Sequence, residues 1–80
     1  MQVYTFNCDG LDEELQEELI QLAFRNNMGI RIVDGQLDTL DITLYVDNRS
    51  ITKGLTQATD LLQKFVDAFD IEDTWSYEQA

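Results

Sequence analysis

The side chains of this 80-residue chain that could do chemistry are mostly carboxylates: sixteen Asp and Glu against five Lys and Arg, with no histidine. Carboxylates can work as general acid and base, as ligands for hard cations, or together as a negative field. Many acid pairs exist, but no spacing marks one out for proton transfer. The acidic turns lack the Asp-x-Asp-x-Asp-Gly pattern of a calcium loop. Cys8 has no histidine to activate it and ends an aromatic strand, which suits a buried core thiol better than a nucleophile. Gly10, Gly29, Gly35 and Gly54 stand singly and form no phosphate-cradling loop. The expectation is a protein that is not an enzyme and has no cofactor and no dedicated metal.

The negative field is the remaining use, and its distribution is uneven. Residues 1–20 carry Asp9, Asp12, Glu13, Glu14, Glu17 and Glu18 with no basic residue; residues 65–80 carry Asp67, Asp70, Glu72, Asp73 and Glu78, again unopposed. Between them, five Asp balance Arg25, Arg31, Arg49, Lys53 and Lys64, so the net charge of −11 belongs to the two ends of the sequence. Such a field attracts a basic protein surface and repels nucleic acid and anionic membrane.

These charges must be positioned by a small set of elements. Gln2 to Cys8, rich in β-branched and aromatic residues and stopped by Asp9-Gly10, reads as a strand. Leu11, Leu15, Leu19 and Leu22 recur at helical spacing and predict an amphipathic helix over about residues 11–27, capped by Asp9, with Gly29 as a left-handed terminator. Residues 30–33 and the alternating run 40–46 read as two strands joined by a hairpin at Asp34-Gly35. Ile51, Leu55, Ala58, Leu62, Phe65 and Phe69 mark a second helix from Ser50 or Ile51 to Phe69, with Gly54 weakening its first turn. Thr74-Trp75-Ser76-Tyr77 alternates as a short last strand would. The expected class is α+β, one domain over residues 1–80. It is a small antiparallel sheet with two helices on one face, ferredoxin-like if the last strand forms.

That order has a directional consequence. If the first strand runs up, the start of helix one, the hairpin and the end of helix two all fall at the top. This gathers Asp9, Asp12, Glu13, Glu17, Asp34, Asp38, Asp67, Asp70, Glu72 and Asp73, while Arg25, Arg31, Arg49 and Lys53 fall at the bottom. Acids early in helix one complement its dipole; in helix two the basic residues lie at the positive end and the acids at the negative end, each pairing costing roughly 0.3–1 kcal/mol where exposed. A local rule broken in so small a domain points to a binding role.

Ile20 and Phe24 fall off the leucine stripe, beside Glu13 and Glu17. They either pack against the sheet edge or the tail, which is the plainer account, or form an apolar anchor within an acidic ring. Trp75 and Tyr77, near Glu72, Asp73 and Glu78, have the same two readings. The wetter sheet face with Asp41, Thr43, Tyr45 and Asp47 is a third surface, which leaves monomer and homodimer both open. One cysteine suits a reducing compartment, and with no leader-like start and no membrane-length apolar run the expected location is the cytoplasm, a host's if phage-encoded.

The stretch Lys64-Phe65-Val66-Asp67-Ala68-Phe69, followed by Trp75, Tyr77 and Glu78, resembles the late helix and acidic segment of a phage anti-CRISPR family that inhibits a type II effector nuclease. In general character the chain is similar to small acidic phage inhibitors that imitate DNA. The resemblance implies a bacterial defence nuclease as target, with Asp67, Glu72, Asp73 and Glu78 in or beside the matching stretch. The chain departs from that family by opening with a strand rather than a helix. Neutralisation of another basic protein, as by an immunity or regulatory module, fits the same composition.

Overall fold

The computed structural model describes residues 1–71 and 75–78, the last of them by backbone alone. The chain forms β1 (Gln2–Asp9), α1 (Glu13–Arg25), β2 (Gly29–Asp34), β3 (Thr39–Val46), α2 (Ile51–Phe69) and β4 (Ser76–Glu78). The strands make one antiparallel sheet in the order β2-β3-β1-β4. With β-α-β-β-α-β connectivity, this is the ferredoxin-like arrangement expected from the sequence.

Alternation places every second residue of the two central strands in the core. Tyr4, Phe6 and Cys8 of β1 lie opposite Leu44, Ile42 and Leu40 of β3, and all six are buried. The helices cover this face with Leu19 and Ala23 from α1 and Ala58, Leu61, Leu62 and Phe65 from α2. Among the described residues no helix covers the opposite face. There Thr5 and Thr43 share a hydroxyl hydrogen bond of 3.1 Å, and Asn7 Nδ2 donates to Asp41 Oδ1 (2.9 Å) and Thr39 Oγ1 (3.0 Å).

The ends of α1 differ from expectation. Asp12, not Asp9, is its cap and accepts from the Leu15 amide at 2.9 Å. Asp9 stays in β1 because Leu11 turns into the core first, delaying the helix to Glu13. At the other end Asn27, not Gly29, takes the left-handed conformation (φ 58°), and the Met28 amide returns to the Ala23 carbonyl at 2.9 Å. Asn tolerates this region better than most residues. Gly29 instead opens β2 beneath Tyr45, where an added Cβ would lie 3.2 Å from the tyrosine Cβ.

Helix α2 begins after Ser50, whose hydroxyl accepts from the Lys53 amide at 3.3 Å, and ends at Asp70 in the left-handed conformation (φ 51°, ψ 49°). Gly54 in its first turn is a packing requirement: it is buried against the Tyr4 ring, whose hydroxyl leaves no room for a Cβ. The last strand is β4, three residues long, with Tyr77 opposite Phe6.

Candidate functional site

Segments distant in sequence meet at one end of the molecule. Asp9 ends β1 opposite Thr39, and the following Gly10 passes so close to the hairpin that a Cβ there would lie 3.2 Å from the Asp38 carbonyl oxygen. This contact holds the β1–α1 loop against the β2–β3 turn. On the other side Phe69, the last residue of α2, shares an open groove of about 580 Å³ with Asp12, Glu14, Leu15, Glu17 and Glu18. The antiparallel order carries Asp34 and Asp38 to the same end, with Asp70 capping α2 there and Asp67 one turn earlier. Asp9, Asp12, Glu13, Glu17, Asp34, Asp38, Asp67 and Asp70 therefore share one pole.

The charges at this pole lack intramolecular neutralisation. Among the described side chains every Asp and Glu is exposed except Asp41, which is half-buried on the open sheet face. Among the described residues no carboxylate lies within ion-pair distance of a Lys or Arg. Asp12 caps the start of α1 through its side chain and Asp70 the end of α2 through its backbone, while Asp67 Oδ1 accepts from Gln63 Nε2 at 3.0 Å. Arg25, Arg49 and Lys53 sit at the far end, at the close of α1 and the opening of α2. Arg31 does not join them, since it pairs across from Thr43 within the strand and so lies along the sheet.

Several sequence-derived candidates change place or role. Glu72 and Asp73 lie outside the described residues. Glu78 falls opposite Thr5, part-way along β1 and away from the pole. Trp75 is half-buried with its ring edge-on to Phe65 at 6.4 Å, so it closes the core rather than standing out as a contact residue. Tyr77 packs on Phe6 with ring centroids 5.4 Å apart and is partly exposed. Ile20 is 42% and Phe24 81% exposed, so Phe24 is not buried against the sheet edge or the tail. Phe24 is also near the Arg25 end of α1, remote from the acidic hairpin.

Four residues at the pole were missed as site candidates: Glu14 and Glu18, which line the groove, and the apolar Phe69 and Leu37. Phe69 reads in sequence as the last member of the α2 core stripe, yet at the helix end it is 41% exposed, its ring 5.2 Å from Phe65. Leu37 is 95% exposed at the hairpin tip. It and Asp38 both have positive φ (55° and 61°), and the Thr39 amide donates to the Gln36 carbonyl at 3.1 Å, which defines a type I′ turn. An apolar residue in a turn segment was the available signal.

The fold and this pole define a small ferredoxin-like α+β domain with a bipolar charge distribution. No family model matches the chain, and no curated protein matches it. Among the described residues no helix is long and apolar enough to cross a membrane, and no group of His, Cys, Asp and Glu could hold a metal ion.

Proposed function

We propose that the acidic pole is a binding surface for a basic protein groove, and that the protein is a stoichiometric inhibitor of a nucleic-acid-binding enzyme, such as a CRISPR or other bacterial defence nuclease. The observation that carries this reading is the convergence of unpaired carboxylates from α1, the β2–β3 hairpin and the end of α2. A duplex presents about one charge per 1.7 Å of axis, and a dense carboxylate array can occupy the Lys and Arg groove that reads it. Phe69 within the acidic groove and Leu37 at the hairpin tip add apolar contacts of the kind that anchor charged interfaces. They favour a protein partner over free cations.

The test is competition. A target captured from bacterial lysate at low salt is challenged with duplex DNA or guide RNA, and displacement of the protein is the expected result. Capture should weaken as salt rises, because opposite charges across an interface are screened. If saturating nucleic acid leaves the captured complex intact, the mimicry reading is wrong and neutralisation of a basic partner at another surface takes its place.

A further inference from the structure

Among the described residues strand β2 is an edge of the sheet, paired with β3 alone, and it carries the sequence Gly-Ile-Arg-Ile-Val-Asp. Exposed edges in monomeric proteins are usually blunted by lysine, proline, a bulge or a very short strand. The other edge, β4, is three residues long, whereas β2 is six, holds neither lysine nor proline, and has three β-branched residues beside a single exposed cation, Arg31. Its core-side residues Ile30 and Ile32 are only partly buried, and Val33 on the open face is 40% exposed.

The helix above this edge continues the apolar surface. With 3.6 residues per turn, Ile20 and Phe24 lie roughly opposite Leu15 and Glu18, which line the groove with Phe69 at the end of α2, and they share their side of α1 with Glu13 and Glu17. Since α1 packs over β2, that outward flank overlooks the unpaired edge. Phe24 at 81% exposed and Ile20 at 42% leave apolar surface open on this flank.

We infer that β2 pairs antiparallel with β2 of a second copy of the chain, joining two sheets into one of eight strands, with Ile20 and Phe24 of the two α1 helices meeting across the dyad. The charge distribution selects this occupant and this direction. A two-fold axis through the middle of β2 sends the two acidic poles to opposite ends of the dimer. It also brings the Arg25 end of each α1 beside the Glu13 and Glu17 end of the other. Parallel addition would place two poles of like charge side by side, which is repulsive. Backbone hydrogen bonds supply the pairing, and side chains at alternate positions give it specificity. The interface draws Glu13 and Glu17 from the acidic pole but leaves Glu14, Glu18 and Phe69 of the groove uncovered, and its test needs no inhibitor target.

The experiment is the solution mass of the full chain by sedimentation equilibrium with no partner present. Twice the 9.3 kDa chain mass is expected at high concentration, falling to the single-chain mass in Phe24→Lys, with an unchanged circular dichroism spectrum because that side chain is exposed. Amides of β2 should exchange more slowly as protein concentration rises, whereas Glu14→Gln at the acidic groove should leave the mass unaltered. A single-chain mass at every concentration overturns the proposal, and so does a dimer that survives Phe24→Lys combined with Ile20→Lys. Protection of β2 only when another protein is added would also overturn it, in favour of strand addition by that protein.

Discussion

Tyr4 and Gly54 fit one another so closely that neither can be changed alone without consequence. The Tyr4 hydroxyl donates to the Ile51 carbonyl in the first turn of α2, and Gly54, one turn on, leaves the space in which the ring lies. This contact docks the opening of α2 on β1. Gly54→Ala removes a poor helix former, worth up to about 1 kcal/mol in an exposed helix, but here the new methyl meets the tyrosine. A net loss of about 1–3 kcal/mol is expected from the overpacking. Tyr4→Phe should recover part of it, measured as a double-mutant cycle in urea. Additive effects of the two substitutions would show that the contact does not set the cost.

Alkaline pH should act on the same residue. Burial, reinforced by Tyr77, raises the Tyr4 phenol above its ordinary value of 10.0. A group whose folded-state value is raised stabilises fully below the unfolded value and loses that contribution as pH climbs through the folded one. Stability should therefore hold to about pH 10 and fall above it. In Tyr4→Phe that alkaline loss should shrink, as read from denaturant midpoints across the range.

Asp70 places a negative charge at the negative end of α2 and does so in a left-handed conformation that glycine adopts more readily. Asp70→Gly should stabilise the fold by about 1 kcal/mol, from relief of both penalties. On the inhibitor reading it should also bind its target less tightly. Unchanged affinity in the more stable variant would remove Asp70 from the interface.

The hairpin offers a parallel case. Leu37 and Asp38 occupy both central positions of a type I′ turn, for which Asn-Gly is the favoured pair. Replacing them together with Asn and Gly should raise stability by about 1–2 kcal/mol. If Leu37 is a contact residue, target capture should weaken although the fold improves. Retained capture would mark the exposed leucine as incidental.

Crowded, unpaired carboxylates at one pole repel one another, and salt screens that repulsion within a Debye length of about 10 Å at 0.1 M. The thermal midpoint of the isolated protein should therefore rise on adding sodium chloride. Target binding should respond in the opposite sense. A midpoint insensitive to salt would mean that the acids lie too far apart to act as one field.

Much of the architecture was legible because local rules and global fold agree. The 4, 3, 4, 3, 4 stripe from Ile51 to Phe69 matches α2 at both ends, and the alternation of residues 40–46 matches β3 with one residue to spare. The start of α1 was misread because Asp9 and Asp12 are equally good caps by type; only the burial of Leu11 chooses between them. Glycine was overvalued as a terminator, since Asn27 and Asp70 hold the left-handed positions that end the two helices.

The sequence by itself determined the total charge, its concentration at the two ends of the chain, the element order and the two faces of each central strand. These follow from composition and from periodicities of two and 3.6 residues, which are local properties. Only the tertiary structure decided which acids are neighbours, that Arg31 lies along the sheet, and that Phe69 and Leu37 stand among carboxylates while Trp75 closes the core. It also decided that β2, not β4, is the long open edge, with Phe24 above it. Such relations depend on contacts between residues tens of positions apart. Those contacts are fixed by how the sheet and helices pack, and no window along the chain records them.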